Sequence, residues 1–419
     1  MGLSLRKNFG FALVGNLSYA ASQYAILLIF IKLYSMEDVG KFVYAGAFTT
    51  PLMMALEMQL RNFYITDNGD KLSFKDYISF RTLSSIIGGI VLILAAWFLQ
   101  PAYLAVIIIV TLIKTFESQL DLIYAVYQKE HKLDYVAYSR IIRGIVAVIV
   151  VALVSILLKN ILISLSAYLA CWVLLYFFYE RKQVVKRNFI DFDSLRLHGL
   201  SKEKIKYFII LCAPVFCAIF IDKYYLNYPR LSVERFLGIE AVAVFGSLLY
   251  FKSLGGQFIS SAAQAAMPKL ADYIKENKKK AFTKLVLMMI GIGLLIGLVL
   301  VLGAWFFGKE ILILLYTEEY ANYNDVLVIV LLGTMVTFGY TFITSAFTAI
   351  RKQWIRLPVS ILMLGVLITF FYLKNINTLM DVAYIVLYSE LINLVVFYLL
   401  FIVFIKRFFK RQEKLQINL

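Results

Sequence analysis

Apolar runs of membrane-crossing length alternate along this chain with shorter polar gaps. The runs fall at residues 9–33, 42–60, 82–99, 104–127, 141–158, 161–179, 207–225, 241–266, 285–307, 326–350, 357–372 and 382–405. Most approach or exceed the roughly 20 residues that carry a helix across a bilayer core of about 30 Å. The pattern predicts an all-α integral membrane protein of about twelve transmembrane helices. A membrane β-barrel would instead show short segments of alternating polarity.

The polar gaps are of two kinds. Those after the second, fourth, sixth, eighth and tenth runs, together with both ends of the chain, hold most of the 42 lysines and arginines. Because basic loops stay on the cytoplasmic side, the alternation predicts a multi-pass membrane protein with both termini cytoplasmic. The first apolar run continues to Leu33 without a small-residue cleavage pattern and reads as a retained helix, not a removed signal peptide.

The longest polar stretch carries Arg181, Lys182, Lys186, Arg187, Lys202, Lys204 and Lys206 and divides the chain nearly in half. The predicted organisation is an N-terminal six-helix lobe over 1–180, a basic cytoplasmic linker over 181–206 and a C-terminal six-helix lobe over 207–419. Two joined bundles are the arrangement of transporters that rock about a midplane site. The largest outer gaps, 222–240 and 308–325, leave little room for the outer domain a membrane glycan polymerase or ligase would need. The chain therefore reads as a carrier, not an enzyme.

Composition agrees. At 62% hydrophobic and 16% charged residues the chain lies far outside the soluble range. The net charge of +16 does not point to nucleic acid, since the basic residues flank apolar runs, where they meet anionic headgroups. Cys171, Cys212 and Cys217 lie in or near spans, so neither a disulfide framework nor a Cys/His metal site is indicated, and no cofactor is implied. His131 and His198 both fall in predicted cytoplasmic loops.

Ionisable groups inside membrane helices are costly and tend to mark a pathway. In the fourth run Lys114, Glu117 and Asp121 share one helical face, with Gln119 off it. Glu57 and Arg61 stand four residues apart at the end of the second run, in the favourable order for a helical ion pair. The eighth run carries Lys252 with Ser253, Gln257, Ser260 and Gln264, while Gly255 and Gly256 leave backbone accessible. Asn16, Tyr19 and Gln23 form an uncharged polar stripe on the first, and Glu390 with Asn393 marks the twelfth. Together these could line a hydrophilic cavity between the halves.

Each has a structural alternative. Glu57 and Arg61 could be a pair at a helix end, the Lys114 group a buried pair with one spare charge, and the Asn16 stripe a helix-packing contact. Lys252 is the strongest functional candidate, because no acidic residue lies within one turn of it. Pro51 and Pro214 should kink their helices, although membrane helices tolerate proline. A cavity with lysine and arginine suits phosphate, whereas carboxylates suit cationic drugs; both signs are present, so charge alone leaves the choice open.

Three stretches carry a resemblance. Residues 13–67, LVGNLSYAASQYAILLIFIKLYSMEDVGKFVYAGAFTTPLMMALEMQLRNFYITD, resemble the opening of Wzx-type oligosaccharide flippases of the MOP superfamily, with Asn16, Gln23, Lys32, Leu33, Val39, Gly40, Phe42, Pro51, Gln59, Leu60, Arg61 and Asp67 in that family's order and spacing. Residues 114–144, KTFESQLDLIYAVYQKEHKLDYVAYSRIIRG, look like the family's fourth and fifth helices. The stretch NYPRLSVERFLGIEAVAVFGSLLYF, 227–251, continuing to Pro268, Leu270 and Ala271, is similar to the junction of its seventh and eighth. Beyond Lys275 only the hydropathy agrees.

The resemblance implies a flippase of the polysaccharide-transporter branch. Such a protein carries undecaprenyl-pyrophosphate-linked oligosaccharide repeat units to the outer leaflet for capsule, O-antigen or exopolysaccharide assembly. A MATE-like, V-shaped pair of lobes, a central cavity and alternating access come with it. In related lipid II flippases arginines of the first, second and eighth helices line the cavity; Arg61 and Lys252 stand at comparable places, while the first helix offers Asn16 and Gln23. On this reading Lys252, Arg61 and Lys114 bind the pyrophosphate, and Asn16, Tyr19, Gln23, Ser253, Gln257, Gln264, Asn227 and Arg230 line the cavity. Glu57, Glu117, Asp121 and Glu390 are the candidates for a coupling proton or sodium ion. The expected partners are the lipid-linked oligosaccharide, membrane lipid and glycan polymerase machinery, with no nucleic acid. A cation-coupled multidrug exporter of the same superfamily is the rival reading, and a glycan polymerase or ligase the weaker one.

Overall fold

The computed structural model describes residues 5–67, 72–350 and 352–417. All regular structure among them is helical. In order the helices are α1 (Leu5–Leu33), α2 (Met36–Leu56), α3 (Leu60–Thr66), α4 (Phe74–Leu99), α5 (Leu104–Lys129), α6 (Leu133–Leu158) and α7 (Ile161–Leu174). They continue as α8 (Arg181–Lys186), α9 (Lys202–Leu237), α10 (Ile239–Lys275), α11 (Lys279–Leu315), α12 (Asn324–Ala349), α13 (Arg356–Leu373) and α14 (Leu379–Ile417). Eleven helical stretches among the described residues are long and apolar enough to cross a membrane. The remaining long helix, α5, has 26 residues and is interrupted by Lys114, Glu117 and Asp121. With it the expectation of about twelve membrane helices is met.

The chain separates into two compact units, Met1–Leu231 and Ser232–Leu419. In the first, α5 is the central helix: it packs on α2, α3, α4, α6 and α7, and from 118 to 127 only Asp121 escapes full burial. The outward faces are apolar, as along Ile86, Ile90, Leu94 and Trp97 of α4. In the second, α12 lies between α11 and α14. A Cβ at Gly297 of α11 would sit 2.6 Å from the Met335 backbone, so glycine sets that approach. On the other side Tyr340 stacks on Phe397 with ring centroids 5.4 Å apart.

Two expectations change. The second membrane helix does not run to Leu60: α2 stops at Leu56, Met58 and Gln59 turn left-handed with φ of 50° and 51°, and α3 begins anew. Glu57 and Arg61 are thus not neighbours on one helix, and the expected i, i+4 pair is not formed. Across the break the Glu57 carbonyl accepts from Leu60 N and from Arg81 Nη2, both at 2.9 Å, which helps to hold it.

The outer gap foreseen at 222–240 is also absent. Helix α9 runs without interruption through Pro214 and Pro229 to Leu237, and Gly238, with φ of 86°, is its whole connection to α10. Only glycine enters that backbone region at little cost.

The basic stretch after the sixth helix is folded. A wide turn over Leu175–Glu180 leads into α8, and the segment then docks on the start of α4. Lys75 Nζ meets Asp193 Oδ2 at 2.9 Å, Lys204 Nζ meets Asp76 Oδ1 at 2.7 Å, and His198 Nε2 lies 3.0 Å from the same oxygen. The Lys75 hydrogen bond holds the exposed Asp193 carboxyl below its usual range. Just beyond, Phe208 of α9 stacks on Phe80 at 4.4 Å. The beginning of α9 is therefore built into the first unit.

Candidate functional site

Two polar clusters are buried in the membrane helices, one in each unit. In the second unit Lys252 of α10 reaches Glu390 of α14, Nζ to Oε1, at 2.9 Å. The Tyr340 hydroxyl of α12 donates to the other carboxylate oxygen at 2.8 Å. Three helices thus converge on one carboxylate, whose side chain is 3% exposed. Lys252, with no acidic residue nearby on its own helix, finds its counter-charge on another. The sequence reading placed these two residues in different roles, phosphate binding and ion coupling; the fold makes them one ion pair.

Around this pair the predicted polar face of α10 is open. Ser253 and Gln257 are exposed, and Ser253 Oγ makes only a long 3.4 Å bond to the Leu249 carbonyl. The side chain of Gln264 lies outside the described residues. On α14, Ser389 and Asn393 are buried at 1% and 5% exposure, and Ser389 Oγ and Asn393 Oδ1 have no partner among the described residues.

In the first unit the charged face of α5 points where its spacing requires, toward α1 and α3. Glu117 accepts from the Tyr19 hydroxyl. Asp121 takes Arg61 Nη1 at 2.8 Å, and Gln128, two turns on, takes Arg61 Nε and Nη2 at 2.9 and 2.7 Å. Lys114 is half-buried and has no ion pair among the described residues. The α1 stripe faces inward too: Asn16 accepts from Arg140, and Gln23 Nε2 donates to the Tyr168 hydroxyl at 2.7 Å. Asn16, Tyr19 and Gln23 therefore bond to α5, α6 and α7 of their own unit. Asn227 and Arg230, expected to line the cavity, pair with each other along α9 at 2.9 Å.

Sequence reasoning missed several members of this cluster. Arg81, wholly buried, donates to Ser118 Oγ at 2.7 Å. Arg143, 5% exposed, lies with its guanidinium 4.1 Å from the Trp172 ring centroid and within 6 Å of Tyr19 and Tyr124. Glu180, 2% exposed, accepts from Ser139. Hydropathy had set span edges at 82, 141 and 179, which left Arg81 and Glu180 just outside and Arg143 just inside a span edge. Lys114 and Lys252 are accordingly not the only basic residues held within the bundle. Helical phase was the available signal, since Ser139 and Arg143 fall one turn apart on α6. No cluster of three or more His, Cys, Asp or Glu able to hold a metal occurs among the described residues.

No protein-family model matches this chain. A capsular polysaccharide biosynthesis protein from Staphylococcus aureus, CapF, is 28% identical over 394 residues, which cover 94% of this chain and 98% of that one. Solved structures are similar over almost the whole length. An inward-facing multidrug resistance MATE family transporter of the MOP superfamily aligns with a TM-score of 0.68 at 16% identity, covering 98% of this chain and 97% of that one. Its outward-facing counterpart gives 0.62 at 15% identity, covering 96% and 95%. A MOP superfamily transporter from Pyrococcus furiosus, described as having a binding pocket of reversed polarity, gives 0.60 at 14%, covering 96% of each chain. The likeness read from the sequence is borne out, and the chain has the all-helical membrane fold of the MATE transporters of the MOP superfamily.

Proposed function

We propose that this protein is a flippase that moves undecaprenyl-pyrophosphate-linked oligosaccharide repeat units from the cytoplasmic to the outer leaflet of the plasma membrane, for capsule, O-antigen or exopolysaccharide assembly. The observation that carries the reading is the nearly full-length similarity to a capsular polysaccharide biosynthesis protein. The fold supports it, because solved relatives of that fold are known inward- and outward-facing, the two states alternating access needs. Lys252, Arg61 and Lys114 are the cations available to a pyrophosphate, since a partly desolvated ammonium or guanidinium binds phosphate strongly. Ser253 and Gln257 are exposed hydrogen-bonding groups suited to sugars. The prenyl tail stays in lipid, both termini are cytoplasmic, and the delivered unit passes to glycan polymerase machinery outside. No covalent step is required, so the protein is a carrier and not an enzyme.

Deletion in a host that depends on the chain for its surface polymer tests this. The expected result is loss of surface glycan with lipid-linked repeat units accumulating on the inner leaflet, restored by the wild-type chain but not by Lys252→Ala. Normal glycan in the deletion strain, with altered drug susceptibility, would establish the multidrug exporter reading instead. Full rescue by Lys252→Ala would remove Lys252 from phosphate binding.

A further inference from the structure

A hollow of about 750 Å³ opens at the start of α11, lined among the described residues by Lys279, Lys280, Thr283, Lys284, Leu287 and Met288. Their spacing puts all six on one side of the helix. The other side is anchored in the second unit. Phe282 and Val286 are fully buried there, and Phe282 meets Phe409 of α14 with ring centroids 5.8 Å apart. The lysines are thus carried outward on a fixed helix.

The hollow is graded from cation to hydrocarbon. Helix α11 has 37 residues, about 55 Å of helix, and so outruns a bilayer core of about 30 Å. Its apolar run begins at Leu285, directly after the three lysines. Leu287 and Met288 are exposed, and Leu295 and Leu298 continue the same outward strip. A Cβ at Gly291, within that strip, would meet nothing within 4 Å, which leaves a notch beside Leu287. The charge above it is uncompensated. Glu276, the acid nearest in the chain, is held by Lys278 at 2.7 Å. Lys279, Lys280 and Lys284 are exposed and form no ion pair among the described residues, none of which brings an acid to the hollow.

We infer that this hollow is a docking site for an anionic phospholipid of the cytoplasmic leaflet. Lys279, Lys280 and Lys284 hold the phosphate, and the acyl chains lie along Leu287, Met288 and the Gly291 notch. Ammonium groups at headgroup depth attract a lipid phosphate, and the exposed strip below them is matched to hydrocarbon. A lipid-linked oligosaccharide offers the same phosphate chemistry but fits less well. Thr283 is the one neutral hydrogen-bonding side chain among the described lining residues, so its sugars would face lysine and hydrocarbon. The site is also separate from the Lys252 pair, which stands about 35 Å along α10 from the end of that helix at Lys275. The inference uses the membrane placement of α11 and its basic end, and it does not depend on the flippase reading.

Lipid titration of the full chain in detergent, followed by native mass spectrometry, tests the site. The probes are dioleoyl phosphatidylglycerol and dioleoyl phosphatidylcholine. The wild type should retain phosphatidylglycerol in preference to phosphatidylcholine. Lys279→Gln/Lys280→Gln/Lys284→Gln should weaken that retention by about a hundredfold, through the loss of three cations at the membrane surface. The matching triple change to arginine should keep it. If the triple glutamine variant does not fold, Lys284→Gln alone should lose about fivefold. A control, Lys182→Gln/Lys186→Gln/Lys202→Gln, removes the same charge from exposed positions between α7 and α9 and should leave retention unchanged. Equal losses in the two triple variants, or no preference for phosphatidylglycerol in the wild type, would overturn the site. Displacement of phosphatidylglycerol by an equal concentration of undecaprenyl pyrophosphate would give the hollow to the lipid carrier and overturn the phospholipid assignment.

Discussion

Arg61 forks across α5, holding Asp121 at 2.8 Å with one nitrogen and the Gln128 amide oxygen with two others. The short helix α3 is thereby fastened to the central helix of its unit. Removing the guanidinium leaves Asp121, 26% exposed at the side chain, without its cation. Arg61→Ala should therefore cost about 1–3 kcal/mol. Arg61→Lys should fall between, because an ammonium cannot fork. The double variant Arg61→Ala/Asp121→Asn should cost less than the two single changes summed, since they share one interaction. Unfolding in detergent checks this, and additive costs would show that the contact carries little coupling.

Arg81 secures the break between α2 and α3. It is wholly buried and supplies Ser118 Oγ and the Glu57 carbonyl with their donors. Arg81→Met fills a similar volume but removes the Arg81 donor from both acceptors beside two left-handed residues, leaving the Glu57 carbonyl only its bond from Leu60 N. The expected loss is about 2–4 kcal/mol. Limited proteolysis should then cut near Met58 and Gln59, where the wild type resists. A variant as stable and as resistant as the wild type would show that the break holds itself.

How much of this could be read from residue order differs from element to element. Helix number and type were legible, because apolar runs in lipid have no stable alternative to the helix. The shared face of Glu117 and Asp121 was legible for the same reason, since spacing fixes phase within a helix. Which partner each charge meets was not. Lys252 and Glu390 lie 138 positions apart, and no local pattern joins them. Helix ends were blurred at α4 and α6 because their first turns are polar, so Arg81 looked like a loop residue and Arg143 like a span-end residue, while both are buried. The break after Leu56 carries no glycine or proline, and the buried Arg81 that supports it comes from a distant helix.

Helix α11 meets α12 through glycine. A Cβ at Gly297 would lie 2.6 Å from the Cα, Cβ and Cγ of Met335, whereas one at Gly303 of the same helix would meet nothing within 4 Å. Gly297→Ala should destabilise by about 1–3 kcal/mol through overpacking. Gly303→Ala should be neutral or stabilising by up to about 1 kcal/mol, because alanine is the better helix former. Melting temperatures of the two variants in one detergent make the comparison. Equal shifts would show that the helices slide apart at no cost.

The alternation of basic gaps predicts the sidedness of particular positions. Lys159 joins α6 to α7 and Asn377 precedes α14, both in gaps poor in compensating basic residues, whereas Leu197 lies in the basic stretch before α9 and Lys280 opens α11. All four are exposed, so a cysteine placed there would be reachable by a thiol reagent. Native Cys171 and Cys212 are buried and Cys217 is exposed, so a background with Cys217→Ser and the other two replaced gives a clean baseline. A membrane-impermeant maleimide added to intact cells should label Lys159→Cys and Asn377→Cys. It should reach Leu197→Cys and Lys280→Cys only after permeabilisation, because lysine-rich loops resist translocation. The reverse pattern would put both termini outside and overturn the orientation. A mixed pattern would break the even count of membrane helices, with α5, the most charged of them, the first suspect.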